Sequence, residues 1–505
     1  MRRLPLLLLT LALLSACRQA QVPPTYTDSK SLPDIYPDYT NVTVPANIAP
    51  LRFQLMSQAD DVVTRFTGGG SEIVCGGRKA MPDEDEWRDM VGKCNNADIT
   101  VEVYAEKDGQ WTRFKPFAIH VSADPIDPWL SYRLISPSYV AFEELTISQR
   151  CLENFDESIV YDNMLCSTEA EGQCINCHNY QRGNPNKMQF HARLANGGTL
   201  INLDGNIFKT NLKTDSTLSA GVYPAWHPTR NLIAYSTNIT RQMFHTRDLN
   251  KIEVFDSESD LILYDADHGD VRTIENRSDE FEVFPCWSPD GKYLYYSSAH
   301  FVAQDTIDDG SISAMSSVVN HYKDIKYNIY RKAFDNNTLT FGPRELVFDA
   351  AAQGLSATLP RLSPDGRWLL LSVGEWGCFH IWHRDADLWL MDLSAETPSA
   401  APLKAVNSPD VEAYHTWSTN GRWIVFSSRR SDGNFTRPFF AHIDANGKAT
   451  KPFELPSADP DYHRQLMKSY NIPELMTGPV TVTPQQFADV LKTDARPATF
   501  VSNND

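Results

Sequence analysis

Along most of this chain hydrophobic and polar positions alternate in short runs with a period of two. Leu51-Arg52-Phe53-Gln54-Leu55, Ile99-Thr100-Val101-Glu102-Val103-Tyr104 and Trp111-Thr112-Arg113-Phe114 set apolar side chains on alternate residues. That is the mark of a half-buried strand. Together these runs predict a small β-sandwich over residues 42–124. Gly68-Gly69-Gly70 reads as a turn inside it, because a phosphate loop needs Lys and then Ser or Thr after its last glycine.

Further on, the alternation becomes a repeat. Tyr223-Pro224-Ala225-Trp226-His227-Pro228 leads into Leu232-Ile233-Ala234-Tyr235-Ser236, and Phe284-Pro285-Cys286-Trp287-Ser288-Pro289-Asp290-Gly291 into Tyr293-Leu294-Tyr295-Tyr296-Ser297. Leu359 to Gly366 precedes Trp368-Leu369-Leu370-Leu371-Ser372, and Tyr414 to Gly421 precedes Trp423-Ile424-Val425-Phe426-Ser427. Ser-Pro-Asp-Gly or Ser-Thr-Asn-Gly makes the hairpin turn, since Gly and Asn take positive φ readily. A third strand follows each pair, as in Asp260 to Asp265, Asn328 to Arg331, Asp387 to Asp392 and Phe439 to Ile443. Such units, spaced about 55–75 residues apart, predict propeller blades rather than the faster repeats of a solenoid. Met188 to Leu212 reads as a degenerate further blade, and residues 129–150 help close a sixth.

The predicted fold is therefore mainly β, a sandwich followed by a β-propeller of five to seven blades, with six the best count. The propeller is expected over 125–455 with an insertion at 151–187, and 456–505 as a C-terminal extension. The high aromatic content, 11%, and 31 prolines agree with many short strands and turns.

The N-terminus has a different pattern. Arg2 and Arg3 precede an apolar run from Leu4 to Leu14, closed by Leu14-Ser15-Ala16-Cys17. This is the layout of a cleavable secretory signal over residues 1–16, too short for a span of roughly 20 apolar residues. The small-small-Cys ending predicts lipidation of Cys17, with 17–41 as a flexible tether. The expected location is the bacterial cell envelope, anchored through lipid to a membrane, the outer one favoured. Removing residues 1–16 leaves 44 basic against 64 acidic residues, a net charge of −20. Such a surface repels phosphate backbones and disfavours nucleic acid as a partner.

Export permits disulfides, and short loops suggest Cys75 with Cys94 and Cys151 with Cys166. Cys286 and Cys378 remain as thiols. The chemical signal lies in Cys174-Ile175-Asn176-Cys177-His178. Its spacing is the attachment signature of c-type haem: Cys174 and Cys177 match two vinyl groups, and His178 reaches the iron. The alternatives are a local disulfide, a redox dithiol, which would want a βαβ context, and half of a zinc site, which would want a second ligand pair. For the distal iron position, Met188 would give a high potential and His191 a lower one.

His227, His380, His383, His415 and His442 fall at blade edges and read as structural imidazoles. Asp305, Asp308 and Asp309 beside Gly310 read as a solvated loop without the alternating ligands of a calcium site. No Gly-x-Ser-x-Gly or His-Glu-x-x-His stands in the chain, so hydrolase chemistry has no support.

The repeated segments resemble the TolB-like propeller family, whose blades carry a Trp-Ser-Pro-Asp-Gly element before an apolar strand. The likeness covers roughly residues 220–450. A wider resemblance, to TolB-like lipoproteins of the Bacteroidetes type that carry a cytochrome motif, rests on the lipidation signal and residues 174–178. It rests also on Ser259-Asp260-Leu261, Ile381-Trp382-His383, and Ser427-Ser428-Arg429-Arg430 with Asp432-Gly433. It implies fold more than function. The leading expectation is an envelope lipoprotein with one covalent haem c that passes electrons or holds a redox or envelope protein partner. The rival is a non-redox scaffold for a protein or ligand, with residues 174–178 structural. A haem enzyme of peroxidase type is a third, weaker reading.

Overall fold

The computed structural model describes residues 20–136, 144–168 and 170–502; Cys17 and the leader lie outside them. The N-terminal unit holds a seven-stranded sheet and a three-stranded one. It begins earlier than the sequence predicts. Thr27–Asp28 pairs in parallel with Gln110–Arg113, and Ile35–Tyr36 pairs with Phe53–Leu55. Tyr39 is fully buried and its hydroxyl donates to the Glu454 carbonyl at 3.3 Å. Residues from 27 onward are thus folded body rather than tether, because burying Ile35 and Tyr39 outweighs the polar residues around them.

The period-two reading also passes over a helix, Glu84–Lys93. Its start was written in the sequence. The Asp83 side chain accepts from the amides of Asp85 and Glu86, three acids fill the first turn, and Lys93 stands in the last. The helix buries Trp87, Met90 and Val91, and the Trp87 indole donates to the Ile48 carbonyl at 3.0 Å.

Six further sheets form a ring. Their innermost strands are Gln173–Gln181, Val222–Trp226, Glu280–Trp287, Ser356–Leu362, Glu412–Trp417 and Ser469–Met476, each packed on the next and the last on the first. The sixth sheet joins the two ends of the propeller. Ser469–Met476 pairs antiparallel with Trp129–Ile135, which continues into Thr146–Cys151 and Glu157–Asp162. The segment expected as a C-terminal extension is therefore integral. Its helix Pro484–Leu491 sinks Phe487, Ala488 and Leu491 into the core between first and sixth blades, and Arg496–Pro497 and Thr499–Phe500 edge the first and second. The segment expected as an insertion, 151–187, is likewise blade, holding Glu157–Asp162 and the innermost strand Gln173–Gln181.

The repeat has a physical job at each position. Every innermost strand carries one residue in the left-handed region: Cys177, Tyr223, Phe284, Leu359, Tyr414 and Ile472, with φ between 49° and 55°. Each sits at a break in the ladder, for example between Val283 and Cys286. The turns follow one plan. In Ser288-Pro289-Asp290-Gly291 the Ser288 hydroxyl donates to Asp290 at 2.6 Å and accepts from the Tyr293 amide at 2.9 Å; Ser363 and Ser418 repeat this. In the second blade His227 takes the serine's place, accepting from the amides of Thr229 and Arg230.

The same motif staples blades together. The Trp287 indole donates to the Ala225 carbonyl of the preceding blade at 3.1 Å, and Trp417 does so to Arg361. Serines on three of the second strands reach the following blade: Ser236 accepts from the Phe284 amide, while Ser372 and Ser427 donate to the Glu412 and Tyr470 carbonyls. Each such bond contributes about 1 kcal/mol.

Two glycine substitutions separate backbone strain from crowding. Gly269 and Gly291 both have positive φ, but a Cβ at Gly269 meets nothing while one at Gly291 runs into the His227 ring. Gly269→Ala should cost about 1–2 kcal/mol, and Gly291→Ala a further ~1–3 kcal/mol for the overlap. Urea denaturation midpoints check this, and equal losses would contradict the inter-blade contact.

Candidate functional site: the axial cavity

The second halves of the six innermost strands enclose a cavity of about 250 Å³ on the propeller axis. The bulge residues Cys177, Tyr223, Phe284, Leu359, Tyr414 and Ile472 form one layer of its lining. Two residues on from each stands a second layer: Asn179, Ala225, Cys286, Arg361, Thr416 and Glu474. Alternation along a strand returns residue n+2 to the same face, so both layers come from the repeat itself. The first layer is apolar and aromatic, with Tyr223 and Phe284 rings 4.8 Å apart. The second carries a cation and a carboxyl.

Glu474 is buried and accepts from Asn179 Nδ2 and from the Tyr180 amide, both at 3.0 Å. Burial pushes its carboxyl up to about 7, against those two hydrogen bonds and the Arg361 guanidinium, which favour the charged form. Arg361 is half-buried and donates to its neighbour's carbonyl at Pro360.

The motif 174–178 lies on the innermost strand of the first blade, in register with the repeat. Cys177-His178-Asn179-Tyr180 occupies the positions of Tyr223-Pro224-Ala225-Trp226 and Phe284-Pro285-Cys286-Trp287. The ladder to Asn184–Leu194 slips here, with Cys177 and His178 standing opposite the single residue Phe190. Cys177, at φ 55°, and His178 turn toward the axis and line the cavity. His178 is 1% exposed; neither ring nitrogen has a hydrogen-bond partner in good geometry, and the Ile472 backbone beside it favours the charged form. Burial, helped by the Arg133 charge, pulls its pKa down to about 3, so the ring is neutral with a lone pair available.

A c-type haem needs both thiols and the imidazole at one space. His178 suits an iron ligand. Cys174 does not line the axial cavity; it is half-exposed, paired opposite Arg193, and its sulfur accepts from Asn176 Nδ2 at 3.0 Å. The two thiols therefore open on different sides of the strand, and the donor set as folded does not fit the porphyrin. The distal candidates stand apart too. Met188 is fully buried in the core between first and sixth blades, opposite Tyr180, and His191 bonds Thr199 Oγ1 at 3.1 Å beside a separate small cavity. Neither lines the axial cavity with His178. Among the described residues no group of three His, Cys, Asp or Glu side chains is placed to hold a metal ion.

The expected disulfides are corrected. All eight described cysteines are free thiols. A Cβ built at Gly68 would lie 2.8 Å from Cys94 Sγ, whereas Cys75 pairs with Thr64, four residues along that strand, roughly 13 Å away. Bridging needs Cα atoms within about 7 Å. Cys166 bonds the Tyr161 hydroxyl at 3.0 Å, while Cys151 ends its strand four residues beyond Ile147, the partner of Tyr161. Of the histidines read as structural, His227 and His415 accept or donate to backbone, and His383 pairs with buried Glu253 at 3.0 Å.

Raising Glu474's carboxyl has a consequence for stability. The unfolded chain loses this proton near 4.5 and the folded one near 7, so the contribution is full below about 4.5 and is lost as pH rises through 7. Glu474→Gln, which keeps the acceptor oxygen, should flatten the fall in stability between pH 5 and 8. Denaturation curves at the two pH values check it; an unchanged slope would place the proton elsewhere.

No protein family and no curated protein matches the chain's sequence. Among solved structures it is similar to TolB from Acinetobacter baumannii, at 14% identity and a TM-score of 0.41 over 74% of this chain and 78% of that one. It is also similar to a prolyl endopeptidase, at 11% identity and a TM-score of 0.35 over 66% of this chain and 42% of the enzyme, and to a 6-phosphogluconolactonase-like protein from Bacteroides fragilis, at 12% identity and a TM-score of 0.30 over 66% and 98%. Each likeness is remote, and the propeller is read from this chain's own six sheets.

Proposed function

We propose that this chain is an exported, lipid-anchored propeller that acts as a binding scaffold, holding a protein segment or small ligand at its axial cavity. The observation that carries the reading is the second layer of the lining. At one repeat position six blades present Asn179, Ala225, Cys286, Arg361, Thr416 and Glu474, a different side chain in each. Arg361 and Glu474 set a cation and a buried carboxyl in an otherwise largely apolar space, groups whose burial is costly unless a partner engages them. His178, buried with neither nitrogen in a well-formed hydrogen bond, adds a donor or acceptor at the same wall. Anchoring through Cys17 is supported by the signal sequence, and no helix among the described residues is long and apolar enough to cross a membrane.

A photo-crosslinking residue in place of Thr416, in the anchored chain in its own envelope, tests this. A discrete adduct is expected at 416 and not at exposed Asp309, and Arg361→Ala should abolish it. An adduct pattern the same at both positions, or unchanged by Arg361→Ala, would sink the proposal.

A second reading, that residues 174–178 carry haem c and serve electron transfer, draws on the motif spacing and requires this strand to open from the folded arrangement, in which the two thiols do not share one space. Its test is the reduced pyridine spectrum of the mature chain made alongside a haem-maturation system. A c-type band surviving denaturation, and lost when Cys174 and Cys177 are both replaced by Ala, would establish it; no band would leave the scaffold alone.

A further inference from the structure

A second and larger cavity, about 820 Å³, opens at the other end of the propeller. It is lined where innermost strands begin, at Ser469 and Asn471, and by the loops joining second to third strands, 381–384 and 429–436. The hairpin turns and the axial cavity lie at the opposite end of those strands. The two segments that carried resemblance without a role in the axial cavity, Ile381-Trp382 and Arg429-Arg430 with Asp432-Gly433, meet on this wall.

Its charges do not balance. Arg430 is neutralised by buried Glu412 at 2.7 Å, and its guanidinium also donates to the Val406 carbonyl. Asp432 accepts from the amides of Asn434 and Phe435 and stands 3.9 Å from Arg437. Arg384 and Arg429 share one ion-paired carboxylate, Asp410, at 3.3 and 3.7 Å, with Asp432 a more distant attraction on Arg429 and Lys251 also on the lining. The Arg429 side chain is 11% exposed; one amino group donates to the Ile381 carbonyl at 2.7 Å, but its Nε has no hydrogen-bond partner. Burying a guanidinium with an unused donor is costly unless an anion completes it. Burial, with the neighbouring Arg384 charge behind it, pushes Arg429's pKa down against the pull of Asp410 and Asp432, the direction expected of an under-compensated cation. Beside this cationic corner the wall is apolar, with Ile381, Trp382 and Phe435. In a chain of net charge −18 such a pocket is a local exception, and its volume falls in the usual range for small-molecule sites, about 300–1,000 Å³.

We propose that this cavity binds a small organic oxyanion, with its carboxylate or phosphate between Arg429 and Arg384 and its body against Ile381, Trp382 and Phe435. Asp410 then acts as the internal competitor that holds the two cations in the free protein. The site is separate from the axial cavity and stands or falls independently of it.

Calorimetric titration of the mature full-length chain with galacturonate, phenylacetate and inorganic phosphate tests the proposal. Saturable binding of at least one carboxylate probe is expected. Arg429→Gln should weaken it about tenfold or more, the loss of one charge-assisted pair. Arg384→Gln, at a 43% exposed side chain whose change the fold tolerates, should weaken it similarly. Asp410→Asn should tighten it, a gain that a merely structural role would not give. Phosphate binding as tightly as both carboxylates would overturn the part assigned to the apolar wall. No saturable binding of any probe, or affinities unmoved by all three substitutions, would overturn the site.

Discussion

The pairing of Ser469–Met476 with Trp129–Ile135 is the constraint on which the rest depends. A propeller blade alone has an open edge on each side and one face without a partner. Only the closed ring lets each innermost strand pack on two neighbours. Here closure is made by hydrogen bonds between segments more than three hundred residues apart, reinforced by the helix Pro484–Leu491 and by two short edge strands. The N-terminal unit is drawn into the same core: Tyr39, Phe53 and Leu55 share one cluster with Trp423, Phe440 and Phe453 of the fifth blade. The Trp423 indole also donates to the Asp124 carbonyl at 3.0 Å.

Four blades were legible because their turn chemistry is explicit. Ser-Pro-Asp-Gly states a hydrogen-bond plan and a positive φ, and the structure uses both. The first blade lacks that turn, with Gln181-Arg182-Gly183-Asn184 in its place, so the strand before it was read as an insertion. Yet the register was available: Cys177-His178-Asn179-Tyr180 aligns with Tyr223-Pro224-Ala225-Trp226, and the equivalent Ile472-Pro473-Glu474-Leu475 sits in what looked like a tail. The sixth blade could not be read as a contiguous unit because its strands come from both ends of the propeller. The helix at Glu84–Lys93 was passed over because its buried stripe is only Trp87, Met90 and Val91, short beside the runs of alternation on either side.

The candidate sites were legible to different depths. His178 was found by its motif and Arg429 lay in a quoted segment, but Arg361 and Glu474 emerge only once the six innermost strands are set in register, and Arg384 only once the loops are placed in the fold. The disulfide expectation failed for a related reason: loop length brings two cysteines near in sequence, while a strand holds them apart by its own rise.

Closure by the C-terminal strand also sets an order of events. A chain that emerges N-terminus first exposes Gln173–Gln181 long before Ser469–Met476 arrives to lie beside it. Throughout that interval Cys174, Cys177 and His178 sit on an unroofed strand, open to solvent and to any enzyme that modifies thiols. Once the last blade closes, His178 is sealed at the axis. The architecture thus gives Cys177 and His178 a limited period of accessibility whose length is the time needed to deliver the final part of the chain, while Cys174 stays partly exposed.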